Sequence, residues 1–146
     1  MDVLKNRQVE IGEWKMVKII LKKKYNTVIC VMKNSVSESQ LLNTKKTLKG
    51  AMEKLKPGFK FLMDYSLVTE FKPGVEEKVI NAMKMTNTMG VGEIIRVLTD
   101  PGMDFGFERL TNRFYSKNVK SLIYRSSKEA MEYIKKKVSP KRNVKK

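Results

Sequence analysis

Apolar residues along this chain recur at two spacings, and the changes of spacing mark out its elements. Glu13–Lys22 alternates through Trp14, Met16, Val17 and Ile19–Leu21, which predicts a strand. The polar turn Lys23–Asn26 follows, then the β-branched run Thr27–Met32, so the two segments pair as a hairpin. Ser37 and Gln40 have the spacing of a capping box, and Leu41, Leu48, Met52 and Leu55 then recur as one helix face. Pro57-Gly58 ends that helix and Phe59–Met63 predicts the next strand. Helical spacing returns after Gly74 with Val75, Val79, Ala82 and Met83, and Gly90-Val-Gly92 breaks it. Ile94, Ile95, Val97 and Leu98 read as a buried strand, followed by a turn at Asp100-Pro101-Gly102. Met103, Phe107, Leu110 and Phe114 form a further helical face, and Asn118–Tyr124 reads as a strand. Ser126 and Glu129 form a second capping box, opening a last helix with Ala130, Ile134 and Val138 on one side.

The predicted order is ββαβαβαβα. Strands alternating with helices after a hairpin imply an α/β fold, a mostly parallel sheet with packed helices whose antiparallel part is the hairpin. No repeat or low-complexity linker divides the chain, and 146 residues suit one domain, read as 1–138 with a basic, flexible end at 139–146.

Charge adds one further possibility. The chain carries 31 basic and 15 acidic residues, a net +16, and the excess is uneven. Lys135, Lys136, Lys137, Lys141, Arg142, Lys145 and Lys146 crowd the end with no acid among them. Such a field attracts nucleic acid, an anionic membrane or an acidic protein. The competing reading is a solubilising lysine bias, since arginine is scarce and no aromatic lies in the tail to read a base. No run is apolar enough to span a bilayer, and MDVLKNRQVEIGEW has neither the cationic start nor the apolar core of an export signal. With a single cysteine, Cys30, the expectation is a cytoplasmic protein.

Three stretches carry a resemblance: FKFLMDYSLV, an apolar strand running into Asp-x-Ser-x-Val; GVGEIIRVLTDPGMDFGFERL; and SLIYRSSKEAMEYI. Together with the element order, over about residues 14–137, they resemble the STAS / SpoIIAA-like domain family. Anti-sigma-factor antagonists of that family carry a phosphoacceptor Asp-Ser-Ser-Gly where the strand meets the following helix. Aligning Asp64, Ser66 and Val68 places Phe71, Lys72, Pro73 and Gly74 on that loop, and the acceptor serine is missing. Pro73 is expected as a stiff first turn, and Lys72 as a cation facing the positive end of the helix dipole. Ser66 and Asp64 are expected at the strand's end, as a polar terminator and a turn former. The resemblance therefore implies a regulatory or binding domain not controlled by serine phosphorylation at the family position.

The chain contains no histidine, which excludes His-based triads and the usual neutral general base. Cys30, inside VICVM, reads as a small buried hydrophobe. Gly90-x-Gly92 lacks a third glycine and precedes a strand, so it is no dinucleotide fingerprint. We expect no catalytic residue, cofactor or metal. Ten methionines and the second-half phenylalanines offer an adaptable apolar surface, and the family's likeness to part of the CRAL-TRIO lipid-transfer fold implies a pocket. Met83, Met103, Phe105, Phe107 and Phe114 are the candidates for that site, the competing reading being core packing. The expected occupant is a protein partner or an apolar small molecule, with homodimerisation a further option. The alternative is electrostatic binding to nucleic acid or an anionic membrane through the basic residues.

Overall fold

Ser37 caps a helix as its spacing requires: its Oγ accepts from Gln40 N at 3.4 Å, and Ser37 N donates back to Gln40 Oε1 at 2.8 Å. A computed structural model of the chain describes residues 16–100, 102 and 104–138. Within them lie β1 (Val17–Lys22), β2 (Thr27–Val36), α1 (Glu38–Glu53), β3 (Lys60–Phe71), α2 (Val75–Thr88), β4 (Glu93–Val97), α3 (Phe107–Phe114), β5 (Lys120–Tyr124) and α4 (Ser127–Val138). The basic end at 139–146 lies outside the described residues.

The five strands stand in the order β1-β2-β3-β4-β5. β1 and β2 are antiparallel, and every later neighbour is parallel. The expected α/β architecture is the one observed. A short 3₁₀ turn, Lys23–Tyr25, joins the hairpin, with Asn26 in the left-handed conformation at φ 52°. Asn26 also ties this turn to the end of α1's connection, donating to Lys56 O at 3.2 Å and accepting from Lys56 N at 2.8 Å.

Consecutive parallel strands joined by right-handed crossovers must carry their connecting helices on one face. α1, α2 and α3 accordingly share one side, over Cys30, Met32, Phe61, Met63 and Ile94. α4 follows the last strand and is free of that constraint. It covers the other side, where Ala130 and Ile134 pack on Leu62, Ile95 and Val97.

Sequence and structure differ at several element boundaries: β2, expected to end at Met32, runs to Val36. β3 was expected to end near Met63, but it runs to Phe71, because β2 continues beside it as far as Val36↔Phe71. Asp64 and Ser66 therefore lie within the strand. α2 begins at Val75 with Gly74 as its cap, so Pro73 precedes the helix instead of forming its first turn. α3 begins at Phe107, because Phe105 and Gly106 both hold positive φ, 54° and 81°.

Two glycines make opposite predictions. A Cβ on Gly92 would stand 2.7 Å from the carbonyl oxygen of Gly58, a backbone atom that cannot step aside. Gly92→Ala is expected to destabilise the fold by about 1–3 kcal/mol. Gly50, inside α1, has nothing within 4 Å of such a Cβ. Gly50→Ala is therefore expected to stabilise by up to about 1 kcal/mol. Urea unfolding of the two variants checks the pair of signs.

Candidate functional site

β3 outlasts β4. The last pair between them is Asp64↔Val97, while β3 continues along β2 to Phe71. Register shifts between Val31/Lys33 and Asn34/Ser35 each give β3 one residue more than its partner. Asp64 Oδ1 braces the first irregularity, accepting from Ser66 N at 3.1 Å and Ser66 Oγ at 2.7 Å. Tyr65 and Val68, an odd number of positions apart, can thus both be buried on the helix-covered face. The Asp-x-Ser pattern that resembled a strand end is the brace of a bulge.

The segment leading into α3 fills the space beside this overhang. Tyr65 Oη donates to Asp104 Oδ1 at 2.5 Å. Its ring lies 4.7 Å from that of Phe107, and Phe107 stacks on Phe71 at 5.5 Å. Phe105 meets Phe71 edge-on at 4.9 Å. Phe107 is buried, whereas Phe105 stays 36% exposed in its left-handed backbone. A bulky residue in that conformation is strained and is held there by its surroundings.

The holding group is Arg96, fully buried on β4. Its Nη1 donates to Asp104 Oδ1 at 2.8 Å and its Nη2 to Glu108 Oε1. Asp104 Oδ2 also accepts from Glu108 N at 2.7 Å, so one carboxylate binds the strand arginine, the Tyr65 hydroxyl and the start of α3. Burial works against the guanidinium's charge, but the bond to Glu108 and the neighbouring Tyr65 and Asp104 outweigh it, raising the Arg96 pKa. The Tyr65 hydroxyl is pushed up first by burial and then by its bond to Asp104. Neither residue was singled out in the sequence. The available signal was an arginine inside EIIRVL, an apolar strand, with acids downstream at 104 and 108. A buried charge needs such partners.

Facing the aromatic cluster is the loop 71–74. Lys72 N donates to Val36 O at 2.9 Å, and Lys72 Nζ lies 3.8 Å from Glu70 Oε2, so the lysine pairs with the strand end. It was expected to bring its charge to the helix N-terminus. That terminus is acidic: Glu76 and Glu77 occupy the first turn, and a Cβ on Gly74 would stand 2.5 Å from Glu38 Oε1. Between the loop and α3 opens a cleft of about 330 Å³, walled by Phe71 to Glu76 on one side and by Phe105, Phe107, Arg109 and Leu110 on the other.

The structure thus brings Phe71, Lys72, Pro73 and Gly74 together with Phe105 and Phe107. The other described apolar candidates, Met83 and Phe114, do not line that cleft, although Phe107 also walls the cavity that holds Met83. Met83 is buried in a different cavity, beneath α1 and α2. Phe114 sits at the far end of α3, half-buried, with Arg113 5.3 Å and Lys84 5.5 Å from its ring centre. Met103 lies outside the described residues. Lys135 and Lys136 are exposed on α4, on the opposite side of the sheet, and Lys137 falls in the same helix. Lys141, Arg142, Lys145 and Lys146 lie outside the described residues. Among the described residues no helix is long and apolar enough to cross a membrane.

No protein-family model matches this sequence, and no curated protein matches it. Solved structures do match. The anti-sigma factor antagonist SpoIIAA in its unphosphorylated form superposes with a TM-score of 0.60 at 9% identity, covering 82% of this chain and 97% of its own. An uncharacterized protein with a SpoIIAA-like fold from Shewanella loihica PV-4 gives 0.66 at 9% identity, over 82% and 94%. A candidate anti-sigma factor antagonist from Thermotoga maritima gives 0.53 at 20% identity, over 82% and 94%.

Proposed function

From the premise that the chain has a SpoIIAA-like fold, we propose that it is a non-enzymatic binding domain that recognises a protein partner. Its contact surface is the cleft between loop 71–74 and the start of α3. The observation that carries this reading is Phe105: an aromatic ring kept partly in solvent, on a strained backbone, at the mouth of that cleft. Exposed aromatic rings over a preformed support are what binding hot spots are made of. Two of the structural neighbours are an anti-sigma factor antagonist and a candidate one, which supports a regulatory role exercised through protein contact.

Serine phosphorylation has no place at this loop. No serine lies in Phe71-Lys72-Pro73-Gly74, and a phosphate there would meet the carboxylates of Glu38, Glu76 and Glu77. Binding at this position is therefore not controlled by serine phosphorylation of the loop. A photo-crosslinking phenylalanine analogue at position 105 is expected to capture the partner, and one at Ile123, exposed at the sheet's β5 edge, is expected not to.

Electrostatic attachment to nucleic acid or an anionic membrane is the second reading. It draws on the net charge of +16 and on Lys135 and Lys136, exposed on α4 away from the cleft. That mode weakens steeply with added salt, whereas contact through the aromatic cleft does not.

A further inference from the structure

Beneath α1 and α2, on the sheet's helix-rich face, lies a second cavity of about 140 Å³. Its floor is Cys30, Met32, Phe61 and Met63 of β2 and β3, and its roof includes Leu48 of α1 and Met83 of α2. All six are buried. The one thiol there behaves as an apolar group, since burial, with a smaller contribution from the nearby Asp64, pushes Cys30 up to about 12.

An apolar cavity of this size accommodates a benzene-sized molecule. The lining at the surface has a different character. Leu42 is 54% exposed, and Lys45 and Lys78 stand beside it with Thr44 and Asn81. Lys45 is exposed, whereas Lys78 keeps a 3.6 Å pairing with Glu38 Oε2. An apolar interior under a rim of two lysines and the one carboxylate, Glu38, that pairs with Lys78 keeps a net positive charge at its mouth, which complements a molecule with an apolar body and one negative end.

We propose that this cavity is a binding site for a small apolar carboxylate, its body between Met32, Met63 and Met83 and its carboxylate at Lys45 and Lys78. The site is separate from the partner cleft, sharing with it Val79 and Phe107, which line both. Either proposal can fail without the other. Cavity-lining methionines suit such a role because their unbranched side chains repack around varied guests.

The test is a titration of the full chain, labelled with ¹³C at its methionine methyl groups, with phenylacetate and, separately, with phenethylamine. The two probes have similar bodies and opposite charge. Phenylacetate is expected to shift the methyl signals of Met32, Met63 and Met83 and to saturate below about 1 mM. Met131, which lies on α4 and packs against the opposite face of the sheet, is expected to stay still. Lys45→Glu combined with Lys78→Gln should weaken phenylacetate roughly tenfold. Ala82→Leu, at a lining position, should abolish the shifts while leaving the helical circular dichroism intact. Absence of shifts at Met32, Met63 and Met83 with both probes overturns the site. Equal affinity for phenethylamine overturns the carboxylate. If Ala82→Leu fails to fold, the two-probe comparison on the unaltered chain decides alone.

Discussion

Phe107→Ala is expected to destabilise the fold by about 3–5 kcal/mol, the largest effect of any single substitution considered for this chain. The ring is buried, lies 4.7 Å from that of Tyr65 and 5.5 Å from that of Phe71, and walls both the cleft beside loop 71–74 and the apolar cavity. Its removal enlarges both voids, since the ring lines each of them. Phe105→Ala, two residues away, is expected to cost far less, because that ring is 36% exposed and touches the cluster from its edge. Relief of the left-handed strain does not follow from alanine, which tolerates a positive φ no better than phenylalanine does. Urea unfolding distinguishes the two: the midpoint should fall steeply for Phe107→Ala and only slightly for Phe105→Ala. Comparable losses would mean that Phe105 is a core residue and the cleft is packing.

Asp104→Ala is expected to cost about 3 kcal/mol and Glu108→Ala about 1 kcal/mol or less. Both carboxylates bond Arg96, but their surroundings differ. Asp104 is 19% exposed and serves three donors, whereas Glu108 is 59% exposed and holds only one end of the guanidinium. Removing Asp104 leaves a fully buried cation with one solvent-facing partner, a buried tyrosine hydroxyl without its acceptor, and α3 without its first-turn anchor. Removing Glu108 leaves Arg96 still paired with Asp104. Asp104→Ala should also release the strained Phe105 segment, so amide exchange from Asp104 to Leu110 should quicken in that variant beyond what its global stability explains. Equal effects of the two substitutions on unfolding would show that the network is not organised around Asp104.

The elements were legible where local chemistry decides them. Capping boxes, β-branched runs and helical stripes place α1, α4 and the first part of β2 with little help from distant residues. The expected order of strands and helices was the one observed for the same reason. Where the sequence misled, a non-local partner had overruled a local signal. Asp64 and Ser66 carry turn chemistry, yet β2 keeps β3 extended past them and the pair braces a bulge instead. Met103 and Phe107 share helical spacing, yet the chain between them bends at Phe105 and Gly106 before α3 starts. Of the apolar candidates among the described residues, Phe105 and Phe107 meet the loop 71–74. Periodicity finds which residues are apolar but not which void they face, so Met83, which shares a cavity with Phe107 alone of that pair, and Phe114, at the far end of α3, were grouped with them. Arg96 was passed over for the opposite reason: one charge in an apolar strand leaves no periodic trace, and its partners become visible only once α3 folds over β4.

The most direct measurement of the central claim is site-specific photo-crosslinking in living cells, with the phenylalanine analogue placed in turn at Phe105, Lys72 and Ile123. The account predicts one and the same protein joined to positions 105 and 72, insensitive to moderate salt in the lysis step and absent at 123. Crosslinking of equal strength from Ile123, or none from 105 and 72 while nucleic acid or lipid co-purifies in a salt-dependent way, would contradict it.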